Sequence, residues 1–156
     1  MEERAQILET GIPLFFKAQI EIKAPAKKIF DFISNPANHR LMDGSGTVKG
    51  AISGPDRLFL GARFGMAMKI KVPYRIKNTV VEFEENKKIT WCHLMKWTWC
   101  YELQAVTPNQ TIVTESFDAS KIPAFSAWWL RRTGALKRNP KWMAKSLVAL
   151  KAICEG

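Results

Sequence analysis

Two side chains on strand-like segments of this sequence carry the chemistry of proton transfer, His93 and Glu115. An imidazole with an ordinary pKa of about 6.5 exchanges protons at neutral pH. Along 111–118, Thr111, Val113, Glu115 and Phe117 alternate with Ile112, Thr114 and Ser116. If Val113 and Phe117 face a core, Glu115 faces it too. A carboxyl group placed there holds its proton more tightly, unless a base such as Arg63 pairs with it. Each residue has a structural and a functional reading: His93 as a hydrogen-bonded core histidine or an acid–base, Glu115 as a structural pair member or a ligand-orienting acid. Tyr101 and Asn78 are the neighbours that could polarise a carbonyl. His39 follows Asn35-Pro36-Ala37-Asn38 and is expected to be exposed.

Other catalytic patterns are missing. There is no Ser/His/Asp order, no phosphate-cradling glycine loop, no HExxH and no Cys/His metal spacing. Gly44-Ser45-Gly46 is too short to cradle a phosphate. The residues ask for no metal and no cofactor. The three cysteines, Cys92, Cys100 and Cys154, suit free buried thiols.

The stretch 89–106 has the pattern of a β-hairpin. With its turn centred on Lys96, Trp91 faces Tyr101, His93 faces Trp99 and Cys92 faces Cys100. That register leaves a Cys92–Cys100 disulfide as a minor alternative. Trp91, His93, Trp99, Tyr101 and Leu103 then share one face, which is either an aromatic core or the wall of an apolar pocket with polar tips. Phe64, Met66, Met68, Val113 and Phe117 from other strands, with Met143, Leu147 and Leu150 from the C-terminal stretch, complete the candidate wall. Methionines suit a pocket that adapts its shape.

A second cluster lies in 125–138, where Phe125, Trp128, Trp129, Leu130 and Leu136 stand among Arg131, Arg132, Lys137 and Arg138. Trp128, Trp129, Arg131 and Arg132 suit a surface helix, a lid over the pocket mouth, or an element that docks on an anionic membrane. Basic residues interleaved with aromatics also suit nucleic acid, but no nucleic-acid-binding motif accompanies them.

The elements that must position these groups follow from periodicity. Residues 1–13 form a poorly patterned lead-in, and 14–156 one domain. Strand-like alternation covers 14–23, and a helical stripe of Ile29, Phe30, Phe32 and Ile33 covers 26–34. Asn35-Pro36 ends that helix and can begin another short one. Strand-like segments follow at 47–53, 61–71, 74–85, 88–95, 98–106 and 110–118, with turn signals between them. Phe64, Met66, Met68 and Ile70 share a face in the second of these. The phase change between Ile76 and Val81 predicts a bulge. Met143, Leu147, Leu150 and Cys154 give the stripe of a long C-terminal helix, with Asn139 as its cap and Pro140 at its first position. The chain is therefore predicted as α+β: one or two short helices after the first strand, then a curved antiparallel sheet of six to seven strands gripping a long C-terminal helix.

Composition sets outer limits. The 156 residues are 47% hydrophobic and 24% charged, which excludes collagen-like, coiled-coil and disordered chains. The longest uncharged run is too short to span a bilayer, and Met1-Glu2-Glu3-Arg4 lacks the order of a signal peptide. A cytoplasmic protein is expected, monomeric or homodimeric, with peripheral membrane association as an open alternative. The net charge is +10. It is unevenly placed: residues 121–156 hold eight bases against the single acid Glu155, and no acid occurs from Arg57 through Val81.

The order of elements resembles the helix-grip fold of the START-like (SRPBCC) superfamily, which includes polyketide cyclase/dehydrase-like, lipid-transport, coenzyme Q-binding and birch-pollen-allergen proteins. The likeness runs from about Phe16 to Glu155. It rests on AQIEIKAPAKKIFDFISNPANH, VVEFEENKKITW, the pair WCYEL and TIVTESFD, and NPKWMAKSLVALKAICE. The last two pieces are most similar to the polyketide cyclase/dehydrase-like branch. The resemblance implies a cavity for a small hydrophobic ligand between sheet and helix, lipid-, polyketide- or isoprenoid-like, and does not name the molecule. Three functions stay in play: a hydrophobic-ligand carrier, a cyclase/dehydratase-type enzyme without metal that uses His93 and Glu115, and a basic protein docking on anionic membrane or nucleic acid.

Overall fold

The computed structural model describes residues 4–44, 46–69, 72–133 and 135–156, apart from the side chains of 52, 133 and 135–138. Ser45, Ile70 and Lys71, which the sequence places in a turn and at a strand end, fall outside it.

The chain begins with a three-residue strand, β1 (Gln6–Leu8), and continues into β2 (Phe15–Ile22). Two short helices follow, α1 (Ala26–Ile33) and α2 (His39–Met42), with a 3-10 turn at Pro36–Asn38 between them. Asn35 starts that turn by accepting the Ala37 N–H at 3.0 Å. Six strands then meander: β3 (Val48–Ser53), β4 (Arg63–Lys69), β5 (Pro73–Glu84), β6 (Lys88–His93), β7 (Thr98–Thr107) and β8 (Gln110–Asp118). Helices α3 (Ala124–Thr133) and α4 (Ala135–Glu155) complete the chain.

All neighbours pair antiparallel, in the order β1-β2-β8-β7-β6-β5-β4-β3. The architecture is the predicted α+β one, with eight strands among the described residues where periodicity predicts six or seven. The extra strand is β1, inside the stretch taken for a lead-in. Three residues carry no visible alternation, and their pairing with Lys17, Ala18 and Gln19 comes from the free backbone edge of β2. At the other margin β3 pairs with β4 irregularly, its register shifting at Val48/Gly50 and again at Ala51/Ser53. The expected bulge is present, as a register shift between Val80 and Glu82.

α4 lies across the inner face, packed chiefly on β2. It begins at Ala135, so Asn139 is not its cap and Pro140 lies inside it. Pro140 lacks the amide donor for one helical hydrogen bond, and packing of the flanking turns carries the helix through that gap. The expected apolar stripe is the buried one: Met143, Leu147, Leu150 and Cys154 are at most 2% exposed. Met143, Leu147 and Leu150, fully buried, contribute about 1.5–3 kcal/mol each. At the helix end Lys151 is nearly buried, its ammonium donating to the Glu21 carbonyl at 2.9 Å and to Glu155 at 2.6 Å. No described helix is long and apolar enough to cross a membrane.

Candidate functional site

Sheet register decides which of the candidate groups meet. The β6–β7 loop is the three residues Leu94–Lys96, closed by the His93 N–H on the Trp97 carbonyl and the Lys96 N–H on the His93 carbonyl, both 2.8 Å. Lys96 takes a left-handed φ of 79°, as the last residue of such a loop must. The turn is therefore centred on Met95, one residue earlier than predicted. That slides each partner by two positions and leaves every side chain on its expected face. Trp91 sits opposite Trp99, not Tyr101, and His93 opposite Trp97, not Trp99. Cys92 faces Thr98 and Cys100 faces Thr90. All three cysteines are free thiols, which removes the disulfide alternative.

The same register separates His93 from Glu115. Tyr101 pairs directly with Glu115 across β7–β8 and with Ile89 across β7–β6. His93 lies four residues further along β6 than Ile89, about 13 Å at 3.3 Å per residue. The His93 ring belongs to the hairpin: it stacks on Trp97 at 4.3 Å between centroids, and its Nδ1 accepts the Met95 N–H at 3.0 Å. Burial pushes its pKa down to about 4, so the ring is neutral at pH 7 with its proton on Nε2.

Glu115 does face inward, between Val113 and Phe117, and is 3% exposed. Its partner is not a base. Arg63 is exposed, and Glu115 Oε1 instead accepts the Tyr101 hydroxyl at 3.0 Å. The other oxygen, Oε2, is buried with no hydrogen-bond partner. Across the sheet on its other side stands Ala18, whose methyl leaves the space above β2 beside the carboxyl to α4. Burial pushes the Glu115 pKa up to about 8; the Tyr101 hydrogen bond opposes that shift and the negative Asp43 adds to it. At neutral pH the group is therefore largely a neutral carboxylic acid, able to donate a hydrogen bond from one oxygen while accepting at the other. Burial, followed by the neighbouring Glu115, raises the Tyr101 phenol well above its ordinary value and keeps it protonated.

His39 is the correction with the largest consequence. Expected at the surface, it is 8% exposed and stacks on Trp91 with centroids 5.0 Å apart. Phe64 meets both rings edge-on, at 5.8 Å from each. Trp91 in turn lies 5.7 Å from Tyr101. The His39 Nε2–H donates to the Ile33 carbonyl at 2.8 Å, and burial holds the ring neutral, with a pKa pushed down to about 4. Asp43, four residues on, lies close enough to act on His39, Tyr101 and Glu115 electrostatically. Sequence reasoning missed both residues. The available signal was the i, i+3 pair of His39 and Met42, which forms the buried side of α2. The segment is held down at Gly44, whose N–H donates to Ser146 Oγ at 2.7 Å. A methyl group at Gly44 would collide with the Trp142 carbonyl oxygen and lie 2.6 Å from Lys145 Cβ.

The remaining wall residues divide into three groups. Phe64, Met66, Val113, Phe117, Met143, Leu147 and Leu150 are in the core, at most 3% exposed, with Trp91 at 8%. Met68 and Trp99 are partly buried against it. Asn78 is 4% exposed, opposite Phe64 and His93. Asn78 and His93 line an open concavity of about 630 Å³ with Arg63, Lys77 and Lys96, apart from the Glu115 pair. Trp128 and Trp129 of α3 are 53% and 47% exposed, with Arg131 and Arg132 exposed beside them, so the indoles do not plug the interior. Among the described residues no group of three or more His, Cys, Asp or Glu side chains comes together in the manner of a metal site.

What this arrangement offers is a neutral acid–phenol pair at the centre of an aromatic and aliphatic interior, with one acid oxygen unspent. No family model matches the sequence. Among curated proteins it is 39% identical over 134 residues to the uncharacterized protein Rv0088 of Mycobacterium tuberculosis H37Rv, and 38% to the uncharacterized MT0096 of strain CDC 1551. In each case the alignment takes in 84% of this chain and 60% of the relative, so the chain spans less than two thirds of the length of the relatives it matches. Among solved structures, a protein from Arthrobacter aurescens superposes with a TM-score of 0.73 at 13% identity, over 96% of this chain and 90% of its own. Ms6760 of Mycobacterium smegmatis gives 0.67 at 14%, over 97% of both chains. The polyketide-cyclase-like protein Cgl2372 of Corynebacterium glutamicum gives 0.60 at 21%, over 91% of both. The sheet, its order and the gripped C-terminal helix give this chain the helix-grip fold, the architecture it shares with these solved structures.

Proposed function

We propose that the chain binds a small hydrophobic molecule bearing an oxygen acceptor, held between the sheet and α4 with the Glu115–Tyr101 pair as its polar anchor. The observation that carries this reading is the unpartnered Glu115 Oε2. A buried polar atom without a partner costs about 1–3 kcal/mol, which a ligand carbonyl or hydroxyl would recover. The cross-strand Ala18 and the deformable side chains of Met66 and Met143 supply the means of making room. The superfamily fold, which accommodates hydrophobic ligands, supports the same class of molecule.

A second reading shares the site: acid catalysis of the cyclase/dehydratase type, with Glu115 as proton donor and Tyr101 polarising a carbonyl. Its support is the raised pKa of Glu115, near the working pH of a cellular acid.

Native mass spectrometry of the purified protein, with organic extraction of whatever it carries, tests the binding reading. The expected result is an apolar adduct retained by the wild type and lost from Glu115→Leu, which keeps the volume and removes the anchor. A wild-type protein that carries nothing, and that no member of a panel of apolar ketones and fatty acids stabilises thermally, would refute it. Turnover of any bound ketone, abolished in Glu115→Gln, would favour the enzyme.

A further inference from the structure

Helix α3 buries only one of its sides. Ser126 and Leu130, four residues apart, are 6% and 5% exposed and face the protein. On the other side Phe125, Trp128 and Trp129 are 69%, 53% and 47% exposed. They are not scattered: the Phe125 and Trp128 rings stack with centroids 6.2 Å apart, making a continuous aromatic surface. Contiguous apolar surface of this kind on a monomer marks an interaction site.

The charges around the patch are of one sign. Arg131 and Arg132 are exposed in the last turn, and the Arg132 guanidinium lies 5.6 Å from the centre of the Trp128 ring. Among the described residues neither arginine makes an ion pair. The sequence holds no aspartate or glutamate from Ala119 through Cys154. Lys121 just before the helix and Lys141 and Lys145 of α4 are also exposed. This contrasts with the sheet's outer face around Lys88, which pairs with Glu82 at 2.9 Å and Glu102 at 4.0 Å.

We infer that α3 is a docking face for an anionic lipid bilayer. Indole rings prefer the boundary between headgroups and acyl chains, where their apolar body is dry and the N–H stays wet. Guanidinium groups beside them meet lipid phosphates. An exposed helix face that joins three large aromatics to unpaired cations, within a stretch of sequence free of acids, has the amphipathic character of a helix lying in that boundary. A nucleic acid would be met by the same charges, but Phe125 and Arg132 already lie against the Trp128 ring, where a base would have to stack. The inference stands on this surface alone and is independent of the ligand reading.

Sedimentation of the full chain with vesicles provides the test. Phosphatidylcholine vesicles containing phosphatidylglycerol are compared with pure phosphatidylcholine, at low and high salt. The expected result is binding to the anionic vesicles that weakens with salt. Arg131→Glu/Arg132→Glu should weaken it at least tenfold, at about fivefold or more per arginine. Trp128→Ser/Trp129→Ser should weaken it to a similar degree. Both pairs are exposed, so unchanged circular dichroism and melting are expected, and the arginine pair carries the test if the tryptophan pair fails to fold. The inference is overturned by absent vesicle binding, by binding that neither double variant changes, by oligonucleotide binding that these variants abolish while vesicles go unbound, or by self-association in gel filtration that the tryptophan pair removes.

Discussion

Glu115→Gln isolates the energy stored in one buried carboxyl. Folding raises its pKa from an ordinary 4.5 to about 8. The folded state therefore holds the proton more tightly than the unfolded chain. The stability this contributes is complete below pH 4.5 and is lost as pH rises through about 8. At about 1.4 kcal/mol per pH unit the whole window amounts to roughly 5 kcal/mol, of which about 3 falls between pH 5 and pH 8. Wild-type unfolding alone would hide it. His39 and His93, both pushed down to about 4 from 6.5, act with the opposite sign: their stability is present above pH 6.5 and is lost on acidification toward 4. The informative quantity is the difference between variant and wild type, in which the histidine contributions cancel. Glutamine keeps the shape and still accepts the Tyr101 hydrogen bond but does not ionise. Urea unfolding at pH 5 and pH 8 should show the variant gaining about 3 kcal/mol relative to wild type across that interval. An infrared carboxylic-acid band present at pH 6 in wild type and absent in the variant is the direct counterpart. A stability difference independent of pH would refute a buried, protonated Glu115 and with it the anchor.

Three other outcomes follow from packing and backbone geometry. Gly44→Ala pushes a methyl into the backbone of α4; thermal unfolding should show a loss of about 2–3 kcal/mol, as overpacking against main chain does. Leu147→Ala, at a fully buried position on the gripped helix, should cost about 2–5 kcal/mol by the same assay. Lys96→Gly relieves the left-handed backbone at the hairpin tip and should be neutral to stabilising by up to about 1 kcal/mol, with no change in far-UV circular dichroism.

Much of the fold was legible because its apolar faces are periodic. The alternation in 110–118 places Glu115 inward, and the register confirms which residues share that face. The bulge near Val81 was visible because an odd insertion reverses the alternation. What stayed hidden has particular causes. β1 is a backbone-edge pairing without a side-chain signature. The one-residue error in the hairpin centre came from Lys96 occupying a position where glycine would have marked the loop. His39 looked exposed because α2 is a single turn, in which the one spacing signal, the i, i+3 pair with Met42, does not repeat. Asp43 acts through space on residues of distant strands, which no local pattern records.

The two margins of the sheet have a bearing on how the protein behaves at high concentration. A row of unpaired amides and carbonyls invites another chain to add a strand. β2 is eight residues long and regular, and β1 occupies part of its outer edge. At the other margin β3 is kinked by two register shifts and carries a glycine at φ 154° between them, so a straight strand laid against it would lose its ladder within a few residues. One border is blocked by the chain's own first residues and the other is too crooked to copy. The curved sheet can thus stay open at both ends, as gripping a helix requires, without recruiting further strands into a fibre.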